Sequence, residues 1–187
     1  LTDRGAMPGA KFYPNSTLNF AENCLAHNAD DSQIAVISYT ETGTRTALSW
    51  GELRQFVANL RNTLQSLGIG KHDVVAGFVG NGPEAVIASL ATLSLGAIWT
   101  SCSPDFGVQG VLDRFGQTKP KALVAANTTQ YNNKTIDLTD RVNGLLVELL
   151  SVTSAIIFDG PCPDAKVGEI SRPGCKVVAY DDAVSYT

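Results

Sequence analysis

Residues Val74 to Ala126 read VVAGFVGNGPEAVIASLATLSLGAIWTSCSPDFGVQGVLDRFGQTKPKALVAA, and their rhythm decides the fold. Three short apolar runs, Val74 to Val79, Ala97 to Ser101 and Lys121 to Ala126, are each bounded by turn residues, as buried strands are. Between them stand two helix starts: Asn81-Gly82-Pro83-Glu84 ahead of a helix through Leu95, and Ser103-Pro104 ahead of one ending near Gln117. Strand, helix, strand in repetition predicts a parallel sheet, because a right-handed crossover returns each strand in the same direction with its helix packed on the sheet.

The alternation extends both ways. Upstream, Ser49-Trp50-Gly51-Glu52 has capping-box spacing, Leu53, Phe56, Val57, Leu60, Leu64 and Leu67 recur at helical period, and Gly68 closes the helix. Gln33 to Tyr39 and Arg45 to Leu48 flank the turn-like Glu41-Thr42-Gly43-Thr44, which predicts a hairpin and the one antiparallel piece of the chain. Leu18 to Asn28 reads as a helix, and Thr2 to Thr17, without a sustained period, as a surface arm. Downstream, the polar run Asn127 to Thr135 reads as a loop, Asp137 to Leu150 as a helix and Ala155 to Phe158 as a strand. Gly160 to Gly174 is irregular, with Cys175 to Tyr180 a candidate edge strand. The expected fold is α/β: a mostly parallel sheet with helices on both faces and one antiparallel hairpin near the N-terminus. Its organisation is an extended arm (1–17), an α/β core (18–159) and an irregular tail (160–187).

Composition narrows the function classes. The 187 residues are 44% hydrophobic and 17% charged, which suits one globular core. A net charge of -4 offers no cationic excess for a nucleic-acid backbone, and no apolar run approaches the ~20 residues of a membrane span. Cys24, Cys102, Cys162 and Cys175 are widely spaced and form no C-x-x-C, so a reducing, cytoplasmic setting is expected. No export signal accompanies the sequons at Asn15, Asn127 and Asn133, which read as chance.

Several stretches bear on chemistry. Gly68-Ile69-Gly70-Lys71 looks like the tail of a phosphate loop, but it leaves a helix and enters a strand, which suits a helix cap instead. Gly80-Asn81-Gly82 has the right polarity without dinucleotide spacing. Ser101-Cys102-Ser103-Pro104-Asp105-Phe106-Gly107 lies where a parallel strand ends, the usual edge for ligands; its hydroxyls and carboxylate either line a pocket or cap a helix. Cys24 and His27, three apart, would need Cys162 and Cys175 to complete a zinc site, and that irregular pairing argues for a buried Cys and a surface His. The run from Asn127 to Thr135 is dense in donors and holds one cation, Lys134.

Three stretches together carry a resemblance: Pro8 to Pro14 leading to Leu18-Asn19-Phe20-Ala21-Glu22-Asn23; Asn81 to Val86; and Leu95 to Gly107 followed by Val111-Leu112-Asp113-Arg114-Phe115. From about Met7 to Leu150 the chain resembles the acetoacetyl-CoA synthetase branch of the adenylate-forming acyl-CoA synthetases. The resemblance implies a two-step ligase in which ATP and acetoacetate form an acyl-adenylate and the CoA thiol then displaces AMP. ATP and Mg2+ are its implied cofactors and CoA its second substrate.

The resemblance also implies that these residues are an N-terminal large-domain portion of a longer enzyme. The family's Ser/Thr/Gly-rich phosphate loop ending in Lys has no counterpart here. No catalytic residue is therefore expected in this chain, nor a tightly held cofactor, nor activity by itself; its main partner is the downstream part of its own polypeptide. By position, the loop that holds CoA phosphates in related acetyl-CoA synthetases is Tyr131 to Lys134, making Tyr131 and Lys134 the implied CoA contacts, with Tyr131 departing from the family's basic pattern. Ser101, Ser103, Asp105 and Phe106 are the pocket-lining candidates. The competing reading is a non-catalytic CoA- or nucleotide-binding module on the same scaffold.

Overall fold

The structure, a computed structural model, describes residues 1–26, 30–162 and 168–185. At its centre is a parallel sheet in the order β4 (Ile98–Cys102), β3 (Val74–Phe78), β5 (Ala122–Ala126), β8 (Ser154–Phe158) and β9 (Lys176–Ala179). Every residue of β5 is buried, as expected of a strand covered on both faces, so its Ala-Leu-Val-Ala-Ala run shows no alternation. The chain leaves β3 for β4 on one side and returns across it to β5 on the other. Right-handed crossovers in opposite directions put α3 (Pro83–Ser94) on one face, and α4 (Val108–Thr118) and α5 (Thr139–Glu148) on the other. α2 (Trp50–Ser66) packs on α3, and α4 packs on α5.

Local chemistry sets the helix ends. Glu52 N donates to the Ser49 hydroxyl at 3.2 Å and Ser49 N to the Glu52 carboxylate at 2.8 Å, a reciprocal cap for α2 worth about 1 kcal/mol. At its other end Gly68, at φ +82, lets Ile69 N reach Leu64 O and Gly68 N reach Gln65 O. The Gly68 to Lys71 stretch is thus a helix terminus feeding β3. α1 (Phe20–Leu25) leans on α3, where Asn19 Nδ2 donates to Leu93 O at 2.9 Å. The described part of that helix is shorter than the expected Leu18 to Asn28, and His27 lies outside the described residues.

Three expectations are revised. The polar run after β5 is a second antiparallel hairpin, β6 (Thr128–Tyr131) and β7 (Lys134–Asp137), joined by Asn132 and Asn133 at φ +49 and +58. Asn tolerates this left-handed region, and two such residues in succession make the tight turn that suits strand twist. Ser103 does not cap α4. Its hydroxyl donates to Asp105 Oδ2 at 2.9 Å and its carbonyl accepts from Phe106 N at 3.2 Å, closing a turn of its own, so the helix begins only after the extended Gly107. The tail is also more ordered than its composition suggests. Beyond β9 it forms α6 (Tyr180–Val184), held to α2 by Asn59 Nδ2 to Val184 O at 2.7 Å and Thr63 Oγ1 to Ala183 O at 2.9 Å. Arg172 in the same tail donates to the carbonyls of Leu146 and Leu149 at the end of α5 and to that of Val152 beyond it.

Candidate functional site

The strands of the sheet end on one side in a cleft of about 610 Å³. Its walls are Gly80 to Glu84 after β3, Ser103 to Asp105 after β4, Thr128 to Tyr131 of β6, and Phe158 to Pro161 after β8. Over it stands the first hairpin, β1 (Ile34–Tyr39) and β2 (Arg45–Ser49), through Ser38 to Glu41 and Thr46. This is the carboxyl edge of a doubly wound sheet, where loops from strands on either side of β3 diverge and leave a crevice.

Buried Asn127 ties the cleft wall together from behind. Its backbone N–H donates to Phe158 O at 3.0 Å and its carbonyl accepts from Leu138 N at 2.8 Å. The Asn127 side chain donates to Asp159 Oδ1 and accepts from Gly160 N at 3.1 Å. One buried amide therefore ties the ends of β5 and β8 to the base of the second hairpin. Gly160 must lack a side chain, because a Cβ there would run into the carbonyl oxygen and hydroxyl of Thr128. Thr128 Oγ1 and Gln130 Oε1 are buried beside it without a hydrogen-bond partner among the described residues.

Of the residues singled out from sequence, Ser103, Asp105 and Tyr131 share this cleft. Tyr131 and Lys134 face each other across the closing pair of the hairpin, but Lys134 is exposed and outside the cleft wall. Ser101, paired with Gly77 across the sheet, is exposed on the edge strand and does not line the cleft. Phe106 does not line it either; its ring lies under the Arg114 guanidinium, 4.4 Å from the centroid. Sequence reasoning missed Glu41, Glu84, Asn127, Gly160 and Tyr180. The Asn132-Asn133 pair between Thr-Thr-Gln-Tyr and Lys-Thr-Ile-Asp was a signal for the hairpin whose turn Glu41 contacts.

The cleft is anionic. Glu41, Glu84, Asp105 and Asp159 line it, and no Lys, Arg or His does among the described residues. Burial at the start of α3 pushes the Glu84 carboxyl up, and the Asp181 charge adds to the rise. Behind the wall, burial raises the Tyr180 phenol well above its ordinary range, helped by Glu84 and Asp181. Its hydroxyl has no hydrogen-bond partner among the described residues, and its ring tilts against Phe158 at 5.7 Å. The carboxylates do not converge: among the described residues no group of three or more His, Cys, Asp or Glu is placed to hold a metal ion. Such a surface accepts hydrogen bonds and repels anions.

The pattern of the AMP-binding enzyme family matches residues 22–178. The chain belongs to the AMP-binding enzymes. Within that family it is similar to acetoacetyl-coenzyme A synthetase of Rhizobium meliloti (strain 1021), 42% identical over 160 residues, 86% of this chain and 24% of the relative. It is also similar to malonamoyl-CoA synthetase of Penicillium aethiopicum, 37% identical over 155 residues, 81% of this chain and 21% of the relative. The solved structure of acetoacetyl-CoA synthetase from Streptomyces lividans matches it with a TM-score of 0.80 at 34% identity, covering 96% of this chain and 27% of that one. The chain thus spans about a quarter of the length of the curated relatives it matches. No described helix is long and apolar enough to cross a membrane.

Proposed function

We propose that this AMP-binding chain furnishes the N-terminal large-domain portion of an acetoacetate–CoA ligase, which converts ATP, acetoacetate and CoA to acetoacetyl-CoA, AMP and diphosphate. The observation that carries this reading is the 42% identity to an acetoacetyl-coenzyme A synthetase across most of the chain. In this reading the residues here supply scaffold and ligand entrance. The ATP, Mg2+ and reacting-carboxylate contacts fall to the remaining three-quarters of a relative-length polypeptide, which is also the chief partner. Four free cysteines, including a buried Cys102, suit a cytoplasmic protein.

Tyr131 and Lys134 contact the CoA nucleotide at the hairpin, Lys134 supplying the charge and Tyr131 a flat apolar surface. Ser103 and Asp105 line the cleft beside them, with Ser101 and Phe106 flanking the same loop. The relatives named above are synthetases by name, which favours this over a non-catalytic module. The full-length polypeptide given ATP, Mg2+, acetoacetate and CoA is expected to release AMP, and Lys134→Ala is expected to raise KM for CoA while leaving adenylate formation intact. Absence of AMP release would remove the ligase reading; an unchanged KM for CoA would remove Lys134 from the site.

A further inference from the structure

The two hairpins meet at one contact. Glu41, in the turn of the first, places its carboxylate 3.2 Å from the backbone N–H of Asn133, 92 residues away along the chain. Asn133 is the second central residue of a two-residue turn whose closing pair is Tyr131 and Lys134. The ladder bonds of such a turn belong to the closing pair, so the Asn133 N–H is left facing outward without a strand partner. The next residue, Lys134, is exposed and makes no ion pair among the described residues. An outward N–H one residue before an exposed lysine offers an anion a hydrogen-bond donor. The anion found there belongs to the protein itself.

We propose that Glu41 is a built-in competitor for the anion position of the second hairpin: a phosphate-bearing ligand arriving at Lys134 must displace the Glu41 carboxylate from Asn133 N–H, so Glu41 sets affinity and charge selectivity there. This rests on the reading of Lys134 as the CoA contact. The other carboxylates of the cleft do not serve this role. Asp105 is engaged by the Ser103 hydroxyl, Asp159 by the Asn127 amide, and Glu84 is folded back at the start of α3, where its Oε2 fills the space a Cβ on Gly82 would take. Glu41 alone among them bridges one hairpin to the other, from a turn that is not part of the five-stranded sheet. Displacement transfers one hydrogen bond from carboxylate to phosphate and leaves Glu41 to water, so no covalent step is involved.

Glu41→Gln separates charge from shape, because the amide oxygen still accepts from Asn133 N–H while the negative charge is gone. In the full-length polypeptide, calorimetry at low ionic strength is expected to show CoA bound about three- to tenfold more tightly by this variant, a gain that shrinks toward unity in ~0.5 M salt. Pantetheine, which carries no phosphate, is expected to bind both forms equally. Equal tightening of pantetheine overturns the proposal, since it marks a change of shape. An unchanged CoA affinity in Glu41→Gln, alongside weakened CoA binding in Lys134→Ala, overturns the competitor role and leaves the hairpin site standing. If Lys134→Ala also binds CoA as the parent does, the assignment of CoA to the hairpin falls with it.

Discussion

The two hairpins reach the same shape by different means. The first closes a three-residue loop, Glu41 to Gly43, inside the paired Thr40 and Thr44: Thr40 N donates to Thr44 O at 3.0 Å, Gly43, at φ +81, donates its N–H to Thr40 O at 3.0 Å, and Thr44 N donates to the Thr40 hydroxyl at 3.1 Å. Its strands pack Ala35 and Val36 on one side of the turn and Leu48 on the other against the core, and it rests on α2 and α3. The second has a two-residue Asn-Asn turn and strands that are almost wholly polar, with Ile136 their one aliphatic residue. What holds it is the base, where Asn127 and Gly160 lock it to the ends of β5 and β8. Apolar patterning specifies one hairpin; turn chemistry and a buried amide specify the other.

The sharpest way to break this comparison is at the base. Gly160→Ala is expected to cost about 3 kcal/mol or more, read as a lowered denaturation midpoint, because the added methyl meets the Thr128 backbone and not the tip of a flexible side chain. A loss under ~1 kcal/mol would mean that the second hairpin does not depend on its anchor. The turns come next. Asn133→Val forces a β-branched residue to φ +58 and is expected to cost about 2 kcal/mol, against about 1 kcal/mol for Gly43→Ala, which has open space around it and meets only backbone strain. Equal costs would show that the two turns are held alike.

The smallest effect belongs to the opposite edge of the sheet and serves as a control for both hairpins. Lys121 Nζ donates to Asp73 Oδ2 at 2.9 Å, and this bond holds the Asp73 carboxyl below its ordinary value of 3.8. The folded value is lower than the unfolded one, so the contribution to stability is present above 3.8 and is lost as pH falls through the depressed folded value. Asp73→Asn is expected to flatten that acid limb by less than about 1 kcal/mol, since the pair is partly exposed, and to leave amide exchange in both hairpins unchanged.

Much of the scaffold was legible before any coordinates. The Ser49 capping box, the Gly68 helix stop and the Pro83 helix start are local signals, carried by residues within four positions of one another, and each appears as read. The parallel direction of the strands followed from alternation alone. The site was less legible. Ser103 and Asp105 reach the cleft, but as members of a turn that delays α4 and not as its cap. Asn127 looked like an ordinary loop residue because its three partners, Leu138, Phe158 and the Asp159-Gly160 pair, come from elsewhere in the chain.

By itself the sequence determined the elements of the alternating core and their direction: helical and strand periods, caps and turn residues act over a few positions, and a right-handed crossover leaves little choice once strands and helices alternate. Only the tertiary structure decided the electrostatics of the cleft and the meeting of Glu41 with Asn133. Those depend on which loop ends converge at the carboxyl edge, a matter of strand order β4-β3-β5-β8, and no pattern within a ten-residue window carries strand order.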